Sequence, residues 1–239
     1  MKKLLFMLLF IPILGMTQSK NVLNASRYFV SPGKAVAFEK AIAAHAQAYH
    51  KGDWSWRVWS IETGPDAGGY MITEGPSDFA TIDKRGDLGA EHMADWGNNV
   101  APLLSDRYEN MYAEFIPALS SVQLTDYSDK IVITHVTTKP GKILATRALF
   151  PKMLKVWKDG GESVAVYGVQ SSGEPGFIYV TRLKSGLAEL ANDYRKPLEE
   201  RFNAAWGAGA FAKYLDDYAA AVANRWSELL IYKPELSSK

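Results

Sequence analysis

The chain of 239 residues contains no cysteine. That excludes disulfides, thiolate metal sites and a cysteine nucleophile. It contains no block of Lys or Arg, and its formal charge is +1. A near-neutral balance without a basic run gives no electrostatic footprint for nucleic acid, so none is expected as a partner. Apart from the first residues, no apolar run is long enough to cross a membrane. What the chain does have is core material: 47% hydrophobic and 12% aromatic residues.

The opening residues form a distinct segment. "MKK" supplies a positive start and "LLFMLLFIPILG" a short apolar run, followed by a small-x-small site at Gly15 and Thr17. This is the pattern of a cleaved secretory signal peptide. Residues 1–17 are therefore expected to be removed and the protein exported, to a periplasm or beyond. The mature chain would have 239 − 17 = 222 residues, and loss of Lys2 and Lys3 would change the charge from +1 to −1.

The remainder repeats. "SPGK" at residues 31–34 and "KPGK" at residues 139–142 lie 140 − 32 = 108 residues apart. At that offset Ser55 meets Ser163, Val58 meets Val166, Trp59 meets Tyr167, Gly68 meets Gly176 and Thr73 meets Thr181. Both copies end alike, in "PALSS" and "PELSS". Two units follow, residues 18–121 and 122–239, each of ordinary domain size. PGK does not match a phosphate loop, which needs G-x-x-x-x-G-K-[ST]. It reads instead as a strand-to-helix corner, with proline in the first helical turn.

Each unit reads β-α-β-β-α-β, a ferredoxin-like arrangement. Helices are expected over "AVAFEKAIAAHAQAYHK" and "ILATRALFPKMLKVWKD", with later helical regions capped by Ser77 and Ser185. In "DWSWRVWSIE" both alternate residue sets are largely apolar, whereas a one-sided sheet shows polar residues outward. The uncovered face of one sheet is therefore expected to meet the other. The result is an α+β fold in which two tandem ferredoxin-like units form an intramolecular pseudo-twofold barrel.

A strand followed by "KPGK", a helix, a Trp- or Tyr-bearing strand, a Gly turn and the late "RWSELLIYKPEL" resembles the NIPSNAP-like branch of the dimeric α+β barrel superfamily. The resemblance is strongest over residues 130–237 and extends more weakly over 22–120. It implies the barrel fold. It carries no catalytic signature, and the superfamily spans cofactor-independent monooxygenases, isomerases and haem-dependent chlorite dismutases. In the last group a histidine on a helix of the second repeat ligates haem. The second copy's histidine here is the strand residue His135, so haem is not expected, and no other cofactor is implied.

The positions at which the copies differ are the site candidates. His45, on the apolar face of the first helix, aligns with Met153 and is the candidate acid or base. Arg27 aligns with His135, and Arg57 with Ala165. A basic side chain on a doubly covered sheet needs an anion, a carboxylate or solvent. Arg27, Arg57, Trp59, His135 and Tyr167 are therefore candidate ligand-binding residues for a small, mostly apolar molecule, with cofactor-free catalysis open to it. His50 lies about 140° around the helix from His45, so the two are not expected to pair on a metal. His92, in "GAEHMADW", reads as a surface-helix residue, and no metal site is assigned. A stress-associated module or a carbohydrate-contacting surface using Trp54, Trp56 and Trp59 is the alternative. A small-molecule ligand is the principal partner expected, with a homo-oligomer second and no membrane once the signal is cleaved.

Overall fold

The computed structural model describes residues 19–239; the signal segment lies outside them. Eight strands form one closed, all-antiparallel barrel. They are β1 (Val22–Val30), β2 (Trp56–Ile61), β3 (Tyr70–Ser77), β4 (Leu104–Phe115), β5 (Lys130–Thr138), β6 (Ser163–Gln170), β7 (Gly176–Arg182) and β8 (Val222–Tyr232). The order around the barrel is β1-β3-β2-β8-β5-β7-β6-β4. The first half contributes the run β4-β1-β3-β2 and the second β8-β5-β7-β6. Strand β1 shifted by 108 residues coincides with β5 from end to end. The two joints also correspond: β2 pairs with β8 through Trp59 and Tyr232, and β6 pairs with β4 through Tyr167 and Phe115.

Alternation along each strand explains why both faces are apolar. Trp59 and Ile61 point into the barrel, where Met71, Ile133, Tyr167 and Leu230 meet them. Trp56 and Val58 point out, beneath helix α1 (Ala35–Tyr49), against Phe38, Ile42 and Ala46. In the second half, Val164 and Val166 face outward onto Phe150 and Trp157. The helices there are α4 (Ile143–Arg147), α5 (Phe150–Asp159), α6 (Leu198–Trp206) and α7 (Ala210–Ala221). Short helices α2 (Phe79–Asp83) and α3 (Ala90–Asp95) complete the first half. Among the described residues no helix is long and apolar enough to cross a membrane.

Local details correct three expectations. PGK is a turn ahead of the helix, not its first turn. Lys34 N–H donates to Ser31 O at 3.0 Å and Lys142 N–H to Lys139 O at 2.9 Å. Gly33 and Gly141 take φ of +77° and +72°. Proline second and a positive-φ glycine third is the type II pattern. The second copy's expected single helix is divided into α4 and α5, with Pro151 in the first turn of α5, where its missing N–H is tolerated. Ser77 ends β3, and Asp78 caps α2 by accepting from Thr81 N–H at 2.8 Å. Ser185 precedes a 3-10 turn without a side-chain cap.

The two Ser-Ser endings close the barrel. Ser237 Oγ accepts from Val58 N–H at 2.9 Å, and Ser238 Oγ from Trp56 N–H at 2.8 Å. Reciprocally, Ser120 Oγ accepts from Val166 N–H at 2.9 Å, and Ser121 Oγ from Val164 N–H at 2.8 Å. Each half thus satisfies edge-strand donors of the other. Val58 and Val166 are fully buried, and an unmatched buried donor costs about 1–3 kcal/mol. Ser237→Ala is expected to lower unfolding stability by about that amount, and Ser120→Ala likewise. Urea denaturation of the single and double variants checks this. Because the sites are separate, the two losses should add.

Candidate functional site

Three assemblies hold the residues with chemical potential. The first plugs one end of the barrel. Arg27, on β1, is 2% exposed, and its Nη1 donates to Asp66 Oδ2 at 2.5 Å and to Glu228 Oε2 at 2.8 Å. Its Nη2 bonds the other oxygen of Glu228. His135 Nε2 donates to Glu228 Oε1 at 2.8 Å, and the ring stacks on Trp226 at 3.8 Å. Arg107 bonds Asp66 and lies 3.9 Å over the Phe29 ring. Two guanidinium groups therefore face two buried carboxylates. Burial alone would raise the Glu228 pKa; the bonds from Arg27 and His135 outweigh it and hold the carboxyl below its ordinary range. Arg27 and His135 do point inward, but toward these carboxylates.

Behind the plug the barrel interior is mostly packed. A cavity of about 70 Å³ remains, walled by Trp59, Met71, Ile133, Tyr167 and Ile178, with Arg57 and Arg182 at its far end. The segment between the halves closes that end. Arg57 lies 3.8 Å over the Tyr127 ring, and Arg182 donates to the Gln123 and Leu124 carbonyls at 3.0 and 3.3 Å. Burial pushes the Tyr167 hydroxyl up to about 12. Arg57, Trp59 and Tyr167 thus share one cavity, which is well below the usual size of a ligand site. Trp56 and Trp59 are both buried, and Trp54 lies in the 3-10 turn before β2. No exposed tryptophan platform exists on this strand, which removes the basis of the carbohydrate reading.

The second assembly lies between the outer face of the second half and its helices. A cavity of about 220 Å³ is lined by Met153, Trp157, Tyr179, Phe211, Tyr214 and Tyr218, with Arg225 at its rim. Arg225 Nη2 donates to Tyr179 Oη at 2.8 Å. The Tyr218 hydroxyl is buried and has no hydrogen-bond partner among the described residues. Desolvation raises the pKa of both Tyr214 and Tyr218, keeping them protonated.

The third assembly fills the equivalent space of the first half. His45, His50 and His92 are buried, and a ring nitrogen of each lies within 4.8 Å of one from each of the others. His45 Nδ1 donates to Asp95 Oδ2 at 2.7 Å, His50 Nδ1 to Glu74 Oε2 at 3.1 Å, and His92 Nδ1 to the Asp87 carbonyl at 2.5 Å. His50 stacks on Trp56 at 3.4 Å. Glu74 is held in turn by Arg85 Nε at 2.7 Å and Trp56 Nε1 at 2.8 Å, and Asp95 by Asn99 at 2.6 Å. Burial lowers the pKa of His45, and that of His50 to about 4, despite their carboxylate partners.

This overturns two expectations. His45 and His50 are not splayed apart: their Nε2 atoms are 3.3 Å apart. Helix α1 ends at Tyr49, and His50 has extended backbone (φ −102°, ψ 97°), so helical geometry does not govern its direction. His92 is not a surface residue but the third member. One signal was available: at the repeat offsets these positions carry Met153, Lys158 and Phe202, so three histidines are peculiar to one copy.

No family model matches the sequence, and no curated protein matches it. Solved structures do match in shape. An anthrone oxidase-like protein superposes with a TM-score of 0.59 at 18% identity, over 90% of this chain and 92% of its own. A candidate monooxygenase from Lactobacillus acidophilus gives 0.52 at 10% identity, over 88% and 93%. A mutant chlorite dismutase from Candidatus Nitrospira defluvii gives 0.53 at 8% identity, over 92% and 94%. At these identities the likeness shows the fold: an α+β barrel spanning nearly the whole of each chain.

Arg27→Met would strand two buried carboxylates and is expected to cost about 3–5 kcal/mol. The depressed pKa of Glu228 sets the pH dependence. Its stabilising contribution is complete above the unfolded carboxyl value of about 4.3 and is lost as pH falls through the lower folded value. Urea midpoints measured on the acid side should fall more steeply for the wild type than for an Arg27→Met/Glu228→Met double variant. Parallel curves would contradict this account.

Proposed function

We propose that this is an exported protein of two ferredoxin-like repeats, residues 18–121 and 122–239, that binds a small, mostly apolar molecule between sheet and helices of the second half. The observation that carries the reading is the Tyr218 hydroxyl. It is a buried donor with no protein partner, on the wall of a largely aromatic cavity of about 220 Å³. Buried polar groups nearly always have a partner. Such a cavity suits one or two rings carrying a carbonyl, phenolate or carboxylate, which Tyr218 would hold by a hydrogen bond and Arg225 by charge.

The shape likeness to an anthrone oxidase-like protein and a candidate monooxygenase is compatible with an aromatic substrate, and cofactor-free turnover is the enzymatic form of the proposal. The interior candidates Arg57, Trp59 and Tyr167 would then be wall residues of the barrel and not ligand contacts. The "KPGK" and terminal-strand motifs support the NIPSNAP-like branch. A homo-oligomer is compatible with this reading, although the closed barrel does not require one.

Native mass spectrometry of protein purified from its own source, followed by a panel of aromatic ketones and acids, identifies the ligand class. Tyr218→Phe is expected to weaken binding of the best member about tenfold, the worth of one hydrogen bond. Because the hydroxyl has no partner in the free protein, the same change should leave unfolding stability equal or higher. A variant that binds undiminished would remove the reading.

A further inference from the structure

The first-half assembly has the chemistry of a metal centre. Asp95, Glu74 and the Asp87 carbonyl oxygen are acceptors, so each histidine must carry its proton on Nδ1 to bond them. That leaves three Nε2 lone pairs, which have no donor among the described residues. For His45 and His50 these lone pairs sit on atoms 3.3 Å apart. Two facing lone pairs at that distance repel unless a cation lies between them. Nitrogens about 2.05 Å from a tetrahedral zinc ion are themselves about 3.3 Å apart, so the observed separation is that of two ligands on one ion.

The surroundings fit as well. Metal-bound histidines typically donate their second N–H to a carboxylate or carbonyl, which fixes the tautomer and raises ligand basicity. All three do so here. Two of the acceptors are themselves anchored, Glu74 by Arg85 and Trp56, and Asp95 by Asn99. The carboxylates also supply negative charge beside a cation.

The geometry points to a binding site for one divalent first-row transition ion, of which zinc suits three imidazoles best, held by His45, His50 and His92 through Nε2. Three protein ligands leave a fourth position for water or a substrate heteroatom. The site lies in the first half and is independent of the cavity reading for the second.

The test uses tag-free, full-length chain stripped with a chelator. Titration with Co²⁺ is expected to give one equivalent per chain with the visible absorption of a tetrahedral complex, displaced by Zn²⁺. X-ray absorption of the zinc-loaded protein should show three imidazole nitrogens at about 2.0 Å. Glu74→Gln and Asp95→Asn should each weaken affinity by about 10–100-fold. His92→Gln should weaken it further, and His135→Gln not at all. Absence of saturable binding by the wild type, or unchanged affinity in His92→Gln, would overturn the proposal. If His92→Gln does not fold, the zinc spectrum decides. The chain has four histidines, and His135 is committed to Glu228, so fewer than three imidazoles on the ion would refute the site.

Discussion

The backbone donors of Val58 and Val166 lie in the barrel wall, and the hydroxyls that reach them come from the opposite half of the chain. This exchange is what the rest of the structure depends on. A four-stranded sheet with apolar residues on both faces is not stable alone in water, because one face would be wet and two edges would be open. Pairing β2 with β8 and β6 with β4 removes both defects together. The inner faces become one core, and the helices cover the outer faces.

The closed barrel frees the two sheet–helix spaces to differ. Their walls are built from corresponding strands and helices, yet their contents are unlike. The space over β2 and β3 holds imidazoles and carboxylates in an aromatic frame. The space over β5 and β7 holds aromatic rings around an open volume. His45 and Met153 occupy corresponding positions, one in each space. Charge is handled separately, at the barrel mouth, where Arg27 and His135, another corresponding pair, share the carboxylate of Glu228. A near-symmetric scaffold thus presents three chemically separate places.

Much of the fold was legible because its signals are periodic. The 108-residue offset located β1 and β5 to the residue, and alternation in "SWRVWSIE" announced a sheet covered on both sides. The helix ends were less legible. His50 follows the last turn of α1, and only the backbone there decides where its ring points. Glu74, Asp95 and Asp87 come from a strand, a helix and a turn, so no sequence spacing relates them to the histidines they hold. Tyr218 was invisible for the opposite reason: its importance lies in a bond it does not make, which composition and pattern cannot register. The basic residues Arg27 and His135 were correctly placed inside, while their partners, Asp66 on a turn and Glu228 near the end of the chain, were not foreseen.

The position of Glu228 and the final Ser-Ser pair near the C-terminus has a temporal consequence. A chain emerges from the ribosome from its N-terminus. The free edge of β2, the buried charge of Arg27 and the N–H groups of Trp56 and Val58 must all wait for residues between β8 and Ser238. The first half can collapse early, but it keeps an unpaired strand edge of the kind that recruits other chains. Completion of synthesis, more than any local folding step, is therefore the event that commits this molecule to its shape. A chain cut short by a few residues would carry almost the whole sequence and still lack the clasp.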